Sequence, residues 1–126
     1  MVTKNPYQTY QKQAVTTSRP EELTLMLYQG LVKFIRLAKH DLENNNIEAS
    51  HKHNLRAQDI ITELMVTLKT GYEISESLLS LYDFMKTRLI EANLTKKLEL
   101  FDEVEGLSLE LLDTWSEAIK LNKTKQ

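Results

Sequence analysis

Three histidines, His40, His51 and His53, are the side chains best suited to hold a metal or move a proton near neutral pH. Their spacing serves neither task. His51 and His53 are two apart, about 200° around a helix, so they cannot share one ion. No HExxH or comparable ligand pair is present. Cysteine is absent, which removes thiol nucleophiles, disulfide frameworks and Cys-based zinc sites. No glycine-rich phosphate loop or Ser/His/Asp arrangement can be read in the chain. Asp102, Glu103 and Glu105 read as a solvated acidic face rather than an acid/base pair. Lys96, Lys97, Lys123 and Lys125 are too sparse for a nucleic-acid patch. The 16 Lys+Arg against 18 Asp+Glu, a net charge of −2, also argue against phosphate neutralisation. The expectation is a protein that is not an enzyme, with no cofactor, no metal site and no nucleic-acid partner.

What the residues do specify is helix. Both prolines, Pro6 and Pro20, precede position 21, and only three glycines are present in all 126 residues. Ser18-Arg19-Pro20-Glu21 is a helix start, with Ser18 as cap and Glu21 reaching back. The first helix then runs to about Leu42, where Asn44-Asn45-Asn46 ends it. A second is expected from about Ile47 to Lys69, with Gly71 at the stop. A third runs from about Ile74 to Ala92, followed by Asn93. Thr95 is the expected cap of a fourth, about Lys97 to Leu121. Helices of this length are about 30 Å long. Short links make sequential neighbours antiparallel, so the expected fold is an all-α, up-down-up-down four-helix bundle. It occupies 18–121, between a short mobile N-terminal segment, 1–17, and a frayed tail, 122–126. No apolar run is long enough for a membrane span, and the polar first 20 residues lack a signal-peptide core. A cytoplasmic location without membrane insertion is expected.

The apolar arcs separate the helices. In the second, Ala57, Ile60, Ile61, Leu64 and Leu68 make a one-sided stripe. The fourth carries a comparable one from Leu100 to Ile119. The first is wider. Leu23, Met26, Leu27, Leu31, Phe34, Leu37 and Ala38 form one stripe, and Leu25, Tyr28, Val32 and Ile35 a second beside it. Only Gln29, Lys33, Arg36 and His40 remain as a polar strip, leaving an apolar arc of about 260°. In the third helix Leu81, Tyr82, Met85 and Leu89 share the main stripe, while Leu79 and Ile90 sit off it. Large apolar side chains left wet forgo about 1.5–3 kcal/mol each, so part of this surface should be covered by a self segment, a second copy or a partner. The alternative is that the first helix is simply central to an irregular bundle. A groove would be built from Leu25, Tyr28, Val32 and Ile35, joined by Leu79, Tyr82 and Met85. Each of these has core as its competing role. The self cover would be the N-terminal segment, where Tyr7, Tyr10 and Ala14 recur on one helical face. A disordered leader is the competing reading of that segment.

An ordered set of motifs runs along almost the whole chain. It comprises Asn5-Pro6-Tyr7 with Tyr10, then Pro20-Glu21-Glu22-Leu23-Thr24-Leu25-Met26-Leu27-Tyr28-Gln29-Gly30. Arg56-Ala57-Gln58-Asp59-Ile60-Ile61-Thr62-Glu63-Leu64 follows, then Leu81-Tyr82-Asp83-Phe84, Arg88-Leu89, Ala92-Asn93, Glu103-Val104 and Trp115. On these residues the chain resembles the flagellin-specific export chaperones of the FliS family, in their Bacillus-type wording. It departs at Gln29, where the family commonly has Asp, at Phe84, often Tyr, and at Gly71, often a double glycine.

The resemblance implies an antiparallel helical bundle that binds the disordered C-terminal region of flagellin in the cytoplasm. It implies that binding covers the segment's apolar stripe, prevents premature polymerisation and keeps the subunit competent for flagellar type III secretion, without ATP. Export-gate and flagellin-regulating proteins are further partners the family implies. The apolar arc offers a physical route, since an amphipathic helix in an apolar groove is a common recognition mode. Two other classes remain from the residues alone. One is a generic helical adaptor or homodimer using the same surface. The other is a histidine phosphotransfer domain using His51 or His53, which lacks the basic and glycine residues that follow such a histidine. The oligomeric state is left open.

Overall fold

The computed structural model describes residues 20–68 and 73–124. Four helices follow in order: α1 (Pro20–Glu43), α2 (Ile47–Thr67), α3 (Glu73–Thr95) and α4 (Leu98–Thr124). Each packs on its neighbour in sequence, and α4 returns to α1, closing an antiparallel square with α1 diagonal to α3. The bundle expected from the sequence is therefore the fold. The most extensive contact is between α1 and α2, and Gly30 faces it: a Cβ there would meet Ile60 Cδ1 at 3.2 Å. Ser18, Gly71 and the N-terminal segment with Tyr7, Tyr10 and Ala14 lie outside the described residues.

The turns come from local chemistry. Asn45 takes the left-handed conformation, φ 60°, at the end of α1. Asn46 then caps α2, its side-chain oxygen accepting from Ala49 N–H at 3.3 Å. At the α3–α4 turn the expected cap is corrected. Thr95 is the last residue of α3, and its hydroxyl donates to its own helix at Glu91 O, 2.9 Å. Lys96 supplies the left-handed residue, φ 60°, donating its N–H to Ala92 O at 2.9 Å.

The core runs along the bundle axis. Leu31 and Ile35 from α1 meet Ile61 and Leu64 from α2, Met85 and Leu89 from α3, and Phe101 and Val104 from α4. Two buried polar residues tie helices together inside it. Ser50 donates to Ala38 O at 2.8 Å, and Asn54 donates to Leu89 O at 2.9 Å while accepting from Gln58 at 2.7 Å. Cross-helix ion pairs frame the outside. Arg36–Glu105 at 2.6 Å and Lys39–Asp102 join α1 to α4, and Arg88–Glu103 at 3.1 Å joins α3 to α4. The acidic face expected to be merely solvated is therefore used for pairing.

The surplus expected on α1 is not wet. Tyr28, Val32 and Ile35 are buried in the monomer, and Leu25 is half-buried. The reason is geometric. Both flanks of α1 are occupied, by α2 and α4, and Tyr28 reaches across the diagonal to Tyr82 on α3. Gln29, Lys33, Arg36 and His40 form the exposed strip as expected. The wet apolar side chains are instead mainly on α2 and α3, including Leu79 and Ile90, with Leu121 on α4.

Candidate partner-binding site

One end of the bundle is hollow. The start of α1, the end of α2, the start of α3 and the end of α4 surround a cavity of about 460 Å³. Leu64, Leu68, Ile74, Leu78 and Ile119 give it apolar walls, with Glu21, Thr24 and Ser75 as polar members. Tyr28 and Tyr82 line it too, one turn deeper than Thr24 and Leu78, and their hydroxyls meet at 2.5 Å. Trp115 closes the side. Its ring meets Tyr28 edge-on at 6.3 Å, and its indole N–H donates to Glu21 O at 2.8 Å.

The tyrosine pair gives this cavity a polar floor. Burial pushes both phenols up from their usual range, Tyr82 the further because its bond to Tyr28 adds to the effect. Both hydroxyls are thus protonated at neutral pH. Two O–H groups bring two protons, and the bond between them uses one. Among the described residues neither hydroxyl bonds anything else. The other proton is left for an acceptor that enters the cavity. An apolar lining with one converging donor is a typical binding-site composition.

Against the residues expected to form a groove, the structure divides the set. Tyr28 and Tyr82 line the cavity, although only 2% of each is exposed. Val32, Ile35 and Met85 are enclosed away from it, Leu25 is half-buried on α1, and Leu79 is on the surface of α3. Trp115, Leu68, Leu78 and Ile119 are among the cavity residues that the sequence pattern does not place together. Their common feature is position within about two and a half turns of a helix end on the same side of the bundle, which only the up-down topology reveals.

The histidines serve the opposite end, each with its own partner. His53 bonds Asp41 at 2.5 Å and stacks on Phe34, His51 meets Asn93 Nδ2 at 2.7 Å, and His40 meets Asn44. His53 is half-buried. Among the described residues no three His, Cys, Asp or Glu side chains converge on a metal-sized space, and no helix is long and apolar enough to cross a membrane.

Comparison with known proteins is decisive on family. Residues 3–122 match the family described as flagellar protein FliS. The chain belongs to the FliS family. It is 43% identical over 120 residues to the flagellar secretion chaperone FliS of Bacillus subtilis, covering 95% of this chain and 90% of that one. It is 31% identical over 107 residues to the Salmonella typhimurium flagellar secretion chaperone FliS, covering 82% and 79% of the two chains. A crystal structure of a flagellar chaperone from bacteria superposes with a TM-score of 0.75 at 19% identity, over 92% of this chain and 98% of that one. The bundle is thus shared with that protein. The family is one of flagellar secretion chaperones, and the Bacillus-type character read in the motifs agrees with the 43% identity.

Proposed function

We propose that this FliS-family chain is a cytoplasmic chaperone for the C-terminal segment of flagellin, and that the end cavity receives part of it. The observation that carries the reading is the cavity itself, an apolar hollow of about 460 Å³ whose tyrosine floor holds one unspent donor. A helix end or extended stretch presenting a large apolar side chain and a free carbonyl matches both features. Covering that side chain removes it from self-association, which keeps the subunit unpolymerised and fit for flagellar export. Ordering a disordered segment consumes part of the contact energy, so a wide wrapped surface is expected, extending from the cavity to half-buried Leu25 and exposed Leu79. Val32, Ile35 and Met85 act in this scheme as the packed support behind the surface. Residues 1–17, with Tyr7, Tyr10 and Ala14, cover the site until flagellin arrives. Export-gate and flagellin-regulating proteins engage the loaded chaperone.

The test is to fill the hollow. Ala118 lines the cavity from an exposed position, so Ala118→Trp should block it while leaving the core intact. Binding of a flagellin C-terminal peptide should fall at least about tenfold, the factor equivalent to roughly 1.4 kcal/mol. Unchanged affinity in a folded Ala118→Trp protein would move the site elsewhere. Deleting 1–17 should tighten binding if the segment only competes and weaken it if the segment also contacts flagellin. Unchanged binding would remove the segment from the mechanism.

A further inference from the structure

Among the described residues nine large hydrophobic side chains are exposed, and six of them fall on one seam. On α2, Ile47, Leu55 and Val66 share a stripe with His51 and Thr62, at steps of four and seven residues. On α3, Leu79, Ile90 and Leu94 share a stripe with Lys86 and Asn93. The polar members of the two stripes bond to each other. Lys86 Nζ donates to Thr62 Oγ1 at 2.9 Å, and Asn93 Nδ2 meets His51 Nδ1 at 2.7 Å. These two rungs fix the antiparallel register, and they place Leu55 and Ile90 between them, with Val66 and Leu79 beyond one rung and Ile47 and Leu94 beyond the other. The outer face of the α2–α3 pair is therefore an apolar furrow about 29 Å long. Its ends are the wettest, Val66 at 74% and Leu94 at 79% exposed. The furrow is separate from the end cavity, which none of these six residues lines.

Its rim is acidic and unspent. Asp59 and Glu63 on α2 and Asp83 on α3 lie beside the stripes, all exposed, with no ion pair or hydrogen bond among the described residues. The nearby cations are engaged: Lys86 is bonded to Thr62, Lys52 on the α2 rim pairs with Glu48 at 3.4 Å, and Arg56 lies over the Phe34 ring. We propose that this furrow docks a basic amphipathic helix of another protein, with apolar side chains facing the seam and Lys or Arg on both flanks. Charge complementarity selects that occupant. A second copy packed on the same face about a two-fold axis would set the acidic rims against each other. A helix with the Tyr7/Tyr10/Ala14 spacing would present a face of about 11 Å, less than half the length of the furrow. The proposal does not rest on the flagellin reading, because neither the cavity nor its tyrosines take part.

The probe is a synthetic 22-residue helix with Leu at i, i+4, i+11 and i+15 and Lys on both flanks, compared with a twin carrying Glu in place of Lys. Fluorescence anisotropy with the full chain should show saturable binding of the Lys peptide, at least about tenfold tighter than the Glu twin. Leu94→Glu should weaken it about tenfold, and Asp59→Lys with Glu63→Lys, both at exposed positions, should reverse the preference between the twins. Equal binding of the twins, or no effect of these folded variants, overturns the proposal. So does a homodimer by analytical ultracentrifugation that Leu94→Glu dissolves, which assigns the furrow to a second copy. A tenfold gain on deleting residues 1–19 overturns it in favour of the chain's own segment.

Discussion

Replacing either tyrosine of the Tyr28–Tyr82 pair with Phe should cost more than replacing both. The hydroxyls meet at 2.5 Å and each side chain is only 2% exposed. Tyr28→Phe removes the only partner of Tyr82 among the described residues and leaves its hydroxyl buried and unpaired. Stranding such a group costs about 1–3 kcal/mol. The same holds for Tyr82→Phe. The double Phe variant strands nothing and keeps both rings, so it should lie within about 1 kcal/mol of wild type. The cycle should depart from additivity by at least about 1 kcal/mol. Trp115 is the only tryptophan in the chain and its ring is 6.3 Å from Tyr28, so its fluorescence in urea titrations reports the surrounding packing directly. A pH series adds a second readout. Burial raises both phenols in the folded state. Their contribution is fully present below the unfolded value near 10 and is lost as pH rises toward the folded values. Wild type should lose stability relative to the double variant as pH rises above about 10, with a limiting slope of about 1.4 kcal/mol per pH unit for Tyr82, the phenol pushed up further. Single variants as stable as wild type, or a double loss equal to the sum of the singles, would mean that the two hydroxyls do not depend on each other.

The other predictions follow from single contacts. Asn54→Ala should destabilise by about 1–3 kcal/mol in urea unfolding, because Asn54 is buried between Leu89 O and Gln58. Lys96→Gly should raise stability by about 0.5–1 kcal/mol, since Lys96 holds φ 60° where glycine has no steric penalty. Trp115→Phe should cost about 0.5–1.5 kcal/mol through the lost bond to Glu21 O, read by thermal unfolding in circular dichroism.

The four helices were legible because nothing after Pro20 interrupts them and each carries an apolar stripe of helical period. Local ends were less so. Thr95 has the right chemistry for a cap, but the same hydroxyl can bond the preceding turn, and residue type alone does not choose between the two. The wide arc of α1 was real in the sequence, yet arc width does not say how much two flanking helices and a diagonal contact can enclose. Tyr28 and Tyr82, 54 residues apart, meet only once the helices are placed. Conversely α2 looked ordinary because its core stripe is complete, which drew attention from Leu55 and Val66 on the other side. Asn54 could have been found, because it lies three and seven residues before Ala57 and Ile61 on the buried stripe, where an amide requires partners.

The measurement closest to the central claim is calorimetric titration of the full chain with a flagellin C-terminal peptide, followed by circular dichroism of the mixture. Saturable binding, a negative heat-capacity change and a gain of helix beyond the sum of the separate spectra are expected. No heat and no added helix at peptide concentrations that saturate other helix-in-groove complexes would contradict that claim.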